Sequence, residues 1–321
     1  MKFFVECYAG ESGATPGQFD HVLSLQSPQV LYSDLPEYEK FLSAAQVAFT
    51  QPTLAEDLAT RWQALITAAL ANSDLVQKSQ DAPLLMVLPH VDTPIESKRD
   101  QLQRQLLDAV IPILPAWTTH PNTDYYQLGS AGFFQALRQA DKLLSSGQSQ
   151  VVIGAIDSWA TEQGIVKFVS QFSDYASVVL PASEGAIFVV LSRQAKGIEV
   201  LGCGMDAVLD RQAPNGLIAL VGDMKAALPA PVTYLSLCYS GDSNLDQVGH
   251  FTLSALPGLY DANTQFITPQ INQGDIGACY SLLHFLTIYH HYEQRIWQGT
   301  SLQIYTSSLP FVGAAVYRWF D

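Results

Sequence analysis

The chain has 321 residues, 48% of them hydrophobic and only 14% charged, with 30 acidic against 16 basic side chains and a formal net charge of −14 at pH 7. That length accommodates one large domain or two fused halves, each able to bury its own core. The negative balance argues against nucleic acid or an anionic lipid surface as partner, because both would be repelled, and a charge fraction well below the roughly 25% of ordinary globular domains points to a large hidden interface. Cys7, Cys203, Cys238 and Cys279 stand far apart with no CxxC pair, so neither a zinc knuckle nor a disulfide framework is expected, and a reducing cytoplasm fits. The opening MKFFVECYAGESG has an apolar piece broken by Glu6, too little for a secretory signal.

In chain order, Phe3 to Tyr8 reads as a strand, and Glu37 to Phe49 and Leu54 to Ala71 as helices. The all-apolar run from Pro83 to Pro89 suits a strand buried on both faces. From Gly132 to Ser146 the apolar residues Phe133, Leu137, Ala140 and Leu144 recur at helical spacing, and Gly147 is a stop signal. Strands are expected at Val151 to Ile156, Ala186 to Leu191, Ile198 to Cys203, Val232 to Cys238 and Ala314 to Phe320. Helices are expected at Asn215 to Leu228, ended by Pro229, and at Ile276 to Tyr292. The last of these is interrupted by His284 and falls short of the ~20 residues that span a bilayer, so no membrane span is expected. This alternation argues an α/β architecture with sheets covered on both faces, dividing in the polar stretch Ser192 to Gly197 into parts 1–195 and 196–321.

The order of pieces is informative. Gly129-Ser-Ala-Gly132, an amphipathic helix, and then SSGQSQVVIGAIDS resemble the nucleophile turn of β-ketoacyl synthases, where a small-residue turn opens a helix that leads to a strand like "GxxDVVLAGGVDS". Further on, Pro181 to Arg193 looks like the family's "GEGAGxLVLE" strand, and Ile198 to Met205 like its crossing strand. Tyr234 to Asp242 stands where the family has "NAHGTGT", Gln270 to Cys279 where it has "KSxxGHxxGAAG", and Leu309 to Ala315 resembles "FGFGGTNA". The matches run from about residue 83 to the end. They imply a thiolase-like fold: two similar halves, 1–195 and 196–321, with mixed sheets in a five-layered αβαβα arrangement, normally dimeric. They also imply a Cys-His-His site in which a thiolate at a helix N-terminus attacks a thioester.

At that site the sequence departs from the family. Counting back from Gly132, the nucleophilic Cys falls on Gly129; the first His falls near Cys238; the second falls on Asp275, and the lysine before it on Gln270. Glycine cannot attack a carbonyl, and a carboxylate at 275 would repel an anionic extender. Because the positions differ together, the resemblance implies a non-catalytic chain length factor: an inactive sister that pairs with an active β-ketoacyl synthase in a type II polyketide, aryl-polyene or fatty-acid-like pathway and shapes its acyl tunnel. Such a subunit meets acyl carrier protein through its partner, and the helix from Gly132 and the strand Val151 to Ile156 are its interface candidates. Two alternatives stay open. One is an acyl transferase or hydrolase using Ser130 or Cys238; the other is a scaffold without acyl chemistry. Ser130 is expected as a helix N-cap and Cys238 as a small buried hydrophobe. His284, His290 and His291 are expected to cap a helix end and sit at the surface rather than bind metal. No cofactor or metal is implied.

Overall fold

The structure, a computed structural model, describes residues 1–26, 33–34, 46–51, 53–90, 96–172, 180–210, 213–237, 243–269, 273–306 and 310–321. The first part of the chain contains β1 (Lys2–Ser12), α1 (Phe19–Leu23), β2 (Ser33–Asp34), β3 (Gln46–Ala48), α2 (Leu58–Leu70), α3 (Leu75–Lys78), β4 (Leu84–Val87), α4 (Glu96–Val110), α5 (Pro115–Thr119), β5 (Asp124–Tyr126), α6 (Gly132–Ser145), β6 (Gln150–Ser158), α7 (Glu162–Phe172) and β7 (Ala182–Ser192). Then follow β8 (Gly197–Ala207), α8 (Asn215–Ala226), β9 (Tyr234–Leu237), α9 (Ser243–Ala255), β10 (Gln265–Ile267), α10 (Tyr280–Glu293), β11 (Thr300–Tyr305) and β12 (Phe311–Phe320).

The strands form one large mixed sheet in the order β10-β9-β11-β12-β8-β1-β7-β6-β4-β5, with β3 beside β7. This corrects the expectation of separate sheets. Lys2 and Phe3 of β1 pair with Glu199 and Ile198 of β8, so the ladder runs on where each set of strands would otherwise end in an open edge. Within the sheet one pattern occurs twice. Strands β5, β4 and β6 are parallel neighbours and are followed by antiparallel β7 and β1; β10, β9 and β11 are parallel neighbours followed by antiparallel β12 and β8.

Period-two alternation sorts the core. On β7, Ile187, Val189 and Leu191 join the aromatic residues of α6 and α10, while Ala186, Phe188 and Val190 join Trp62, Leu65, Leu106 and Trp117 from α2, α4 and α5. On β12, Ala315 and Tyr317 face α6 and α10, while Ala314 and Val316 pack with Leu217, Val221 and Val248 of α8 and α9. The helices α6 and α10 are therefore enclosed between the two wings of the sheet. This contradicts one expected interface element: Val151, Val152, Ile153, Ala155 and Ile156 are wholly buried between β4 and β7, whereas α6 buries its apolar face within the chain and leaves Arg138, Lys142 and Ser145 exposed.

Two expected helices are also corrected. Of Glu37 to Phe49, residues 37–45 lie outside the described ones, and Gln46–Ala48 is a strand in which Val47 and Ala48 pair with Ala182 and Ser183. The next helix starts at Leu58 rather than Leu54, because Asp57 caps it: its Oδ1 accepts the Thr60 N–H at 2.7 Å.

A buried ion pair fastens α2 to the sheet. Arg61 Nε and Nη2 donate to the two Glu184 oxygens at 2.7 and 2.6 Å, and both side chains are closed to solvent. Glu184 also accepts from the Thr50 N–H, the Thr50 hydroxyl and the Ser158 hydroxyl, so its lone pairs are well used. Removing one member of such a pair strands the other charge. Arg61→Met is expected to cost about 3–5 kcal/mol in urea unfolding, and Glu184→Gln added to it should restore part of the loss. A cost below about 1 kcal/mol would contradict this account.

Candidate functional site

The turn at Gly129 extends the pairing of β4 with β5. The Leu88 N–H donates to the Tyr126 carbonyl at 2.9 Å, and the Gly129 N–H to the Leu88 carbonyl at 3.1 Å. Gly129 has φ +58°, opens a 3-10 turn over Gly129–Ala131, and α6 follows with 14 residues. The same device recurs downstream: Gly277 at φ +52°, a 3-10 turn over Gly277–Cys279, and the 14 residues of α10. The two turns touch each other.

Ser130 links them, and its expected role as a cap of its own helix is corrected. The tight turn puts it inside the bend with no capping bond, and its hydroxyl crosses to the other helix. There Ser130 Oγ accepts the Ser281 N–H at 2.6 Å and donates to Ser281 Oγ at 2.8 Å, fully buried. The Ser281 carbonyl accepts from Gln303 Nε2 at 2.9 Å, and Gln303 Oε1 accepts from the Tyr317 hydroxyl at 2.9 Å. This chain of bonds occupies the hydroxyl that a nucleophile would have to offer.

Asp275 is tied to the start of β7 through backbone bonds with Pro181 and Ser183, and its Oδ1 accepts the Gly277 N–H at 2.9 Å. Enclosure pushes its carboxyl above the usual range, against the pull of that N–H. Its neighbour Asp157 was not singled out by any sequence signal. This residue ends β6, accepts the Ala278 N–H at 2.8 Å and the Ser158 N–H at 2.8 Å, and is pushed up to about 7 by burial, with Asp275 adding to the shift. Asp157 lies in the stretch that resembles "GVDS", but 121 positions separate it from Ala278. Its carboxyl also lies where a Cβ at Gly277 would go, so glycine is required there both by φ and by space. Cys279 donates to the Gly185 carbonyl at 3.2 Å, and burial pushes its thiol well above the usual range, which makes it inert. The structure thus brings Gly129, Ser130 and Asp275 to two touching turns. Cys238 and Gln270 lie outside the described residues.

The histidines also differ from expectation, because α10 is enclosed and leaves little surface for them. His284 is buried, its Nδ1 2.5 Å from the Ser236 hydroxyl, and burial holds it neutral at about 3. His291 is buried too; its Nδ1 donates to the Thr287 carbonyl at 2.9 Å, and its ring stacks on Trp297 at 4.4 Å. His290 lies 3.2 Å from the Ser24 hydroxyl. Near the Gly129 turn, His90 donates from Nδ1 to the Gln127 carbonyl at 3.2 Å and stands edge-on to Phe311. Among the described residues no group of three or more His, Cys, Asp or Glu side chains is placed to hold a metal ion, and no helix is long and apolar enough to cross a membrane.

No family model and no curated protein matches the chain. Solved structures do match. The ishigamide ketosynthase/chain length factor has 14% identity and TM-score 0.69, with 100% of each chain covered. The AntDE:AntF complex, a type II PKS acyl-carrier protein with its ketosynthase bound to the hexaketide, has 10% identity and TM-score 0.72, covering 100% of this chain and 99% of that one. The ketosynthase from module 6 of the bacillaene synthase of Bacillus subtilis 168 has 7% identity and TM-score 0.68, covering 100% and 72%. The chain therefore has the thiolase-like fold of ketosynthases and chain length factors.

His284 supplies a pH test of this interior. A histidine whose folded pKa lies below its unfolded value stabilises fully above about 6.5 and loses that contribution as pH falls. The stability of the native chain, measured by urea unfolding relative to His284→Gln, should drop by about 1.4 kcal/mol per pH unit between pH 6 and 4. A difference that does not change with pH would mean that His284 is open to protonation in the folded state.

Proposed function

We propose that the chain is a non-catalytic ketosynthase-like subunit of the chain length factor type, pairing with an active β-ketoacyl synthase and shaping its acyl tunnel. The observation that carries this reading is Gly129. The backbone of a nucleophile turn is kept, with positive φ and a helix beginning at once, while the position itself has no side chain. Ser130, the neighbouring hydroxyl, is buried and bonded to Ser281, which counts against the transferase or hydrolase reading through that residue. The repeated strand order supports reading 1–195 and 196–321 as two similar halves with α6 and α10 as a shared middle layer of a five-layered αβαβα arrangement.

With β6 buried inside the chain and only the polar face of α6 exposed, the partner is better seated on an edge strand. Among the described residues β5 pairs with β4 alone, and its last residue, Tyr126, lies three positions before Gly129. A partner strand laid along β5 would complete the ladder and bring the partner's working site beside the bare turn. A stable pairing of this type buries more than about 2,000 Å² and is rich in apolar contact, in keeping with a chain only 14% charged. Acyl carrier protein is expected to dock on the partner, because a net charge of −14 disfavours an acidic protein here.

One observation favours the scaffold reading. Phe133, Phe134, Phe285 and Tyr317 fill the interior behind the Gly129 turn, and Phe134 lies flat on Gly313. A subunit so filled borders a tunnel without containing one. Co-expression with a synthase that keeps its Cys and both His, followed by size-exclusion chromatography, tests the pairing. A mixed dimer is expected, weakened at least tenfold when Tyr125→Pro removes an N–H donor from the β5 edge strand. A chain that forms only homodimers or monomers beside such synthases would refute it.

A further inference from the structure

The carboxyls of Asp157 and Asp275 come from different elements, the end of β6 and the loop after β10, and meet on one turn. They accept from successive amides, Asp275 from Gly277 at 2.9 Å and Asp157 from Ala278 at 2.8 Å. A Cβ at Gly277 would fall on the Asp157 carboxyl, so the turn packs closely on that group only because residue 277 is glycine. Two like charges on adjacent amides, Asp157 buried and Asp275 partly buried, repel each other with less screening than at the surface.

The groups around the pair do not cancel this charge. From α7, Lys167 attracts Asp157, yet its influence is weaker than burial and weaker than Asp275. The Cys279 thiol is committed to the Gly185 carbonyl and the Tyr280 hydroxyl donates to the Gly274 carbonyl at 2.9 Å; hydrogen bonding from the Tyr280 and Trp159 side chains favours the charged form of Asp275, but each effect is weaker than burial, which raises its carboxyl. On β7, Glu184 is neutralised by Arg61 and reaches the pair only through the Ser158 hydroxyl.

We infer that Asp157 and Asp275 form a pH-sensitive latch: with one negative charge between them they clamp the 277–279 turn to β6, and with two they push it open. The start of α10 moves with the turn. Because Ser130 Oγ accepts the Ser281 N–H, the loosening passes to the Gly129 turn as well. The direction of both pKa shifts agrees. Burial holds Asp157 at about 7 and Asp275 above the usual range, so the closed turn keeps a proton that the open turn releases. Proton release on opening makes high pH favour the open turn, up to about pH 7 and no further.

Hydrogen exchange read by mass spectrometry on the isolated full chain tests the latch without any partner. After correction for intrinsic rates, the opening constant of amides 277–282 should rise about tenfold per pH unit from pH 5 to about 7 and then level off. Peptides covering 129–134 should follow in the same direction. Asp275→Asn removes one charge, so the rise should shrink and its plateau move to lower pH, and Asp157→Asn should flatten the profile. If Asp157→Asn does not fold, the native chain and Asp275→Asn decide the matter. Exchange of 277–282 that ignores pH between 5 and 7, or that is the same in Asp275→Asn, overturns the proposal.

Discussion

The arrangement of the site depends on two backbone bends that glycine adopts with least strain, Gly129 and Gly277. Each bend lets the chain leave a strand or loop and enter a buried helix within one short turn. A helix that begins in the interior has first-turn N–H groups without partners in its own ladder, and burying them unpaired is costly. In this protein several partners come from across the molecule. Ser130 of the first turn serves Ser281 of the second helix, and Asp157 of β6 serves Ala278. The two bends are thereby welded into one unit at the centre of the sheet's two wings.

That arrangement explains why residue types associated with chemistry are not free to perform it. A nucleophile needs access, a base and a lowered pKa. Ser130 is buried and already bonded, Cys279 is driven toward its neutral thiol form by burial, and His284 is a neutral imidazole held against Ser236. Asp275 directs its carboxyl to a backbone amide. Each group satisfies a polar atom that the fold has buried. The interior is polar where the helices start and aromatic behind them, with the Phe133 ring against both Phe134 and Phe285.

The parts of this design that depend on local pattern were legible in the sequence. The apolar runs at β4, β6 and β7, the helical spacing after Gly132 and the stop at Gly147 identify elements because each signal lies within its own segment. The strands β5, β10 and β11 were missed: β5 and β10 have three residues each, and Thr300–Tyr305 carries a mixed polar pattern because Ser301 and Gln303 face buried polar partners. At the site, Gly129 and Asp275 were singled out in the sequence, and the structure brings them to two touching turns. Its wiring was not, since Ser130 to Ser281 spans 151 positions and Asp157 to Ala278 spans 121. The histidines were misjudged for a related reason: a helix enclosed by sheet on two sides has no surface face, and its sequence alone does not say so.

On the proposed reading, a chain with this fold, a glycine at the head of its first buried helix turn and committed polar groups supports chemistry in a neighbour rather than performing it. The most direct measurement is acyl transfer followed by intact-mass spectrometry on the mixed complex, supplied with an acyl thioester. The account predicts an acyl adduct on the partner synthase alone, with this chain at its unmodified mass. An adduct on this chain, at Ser130, Cys238 or any other side chain, would contradict it.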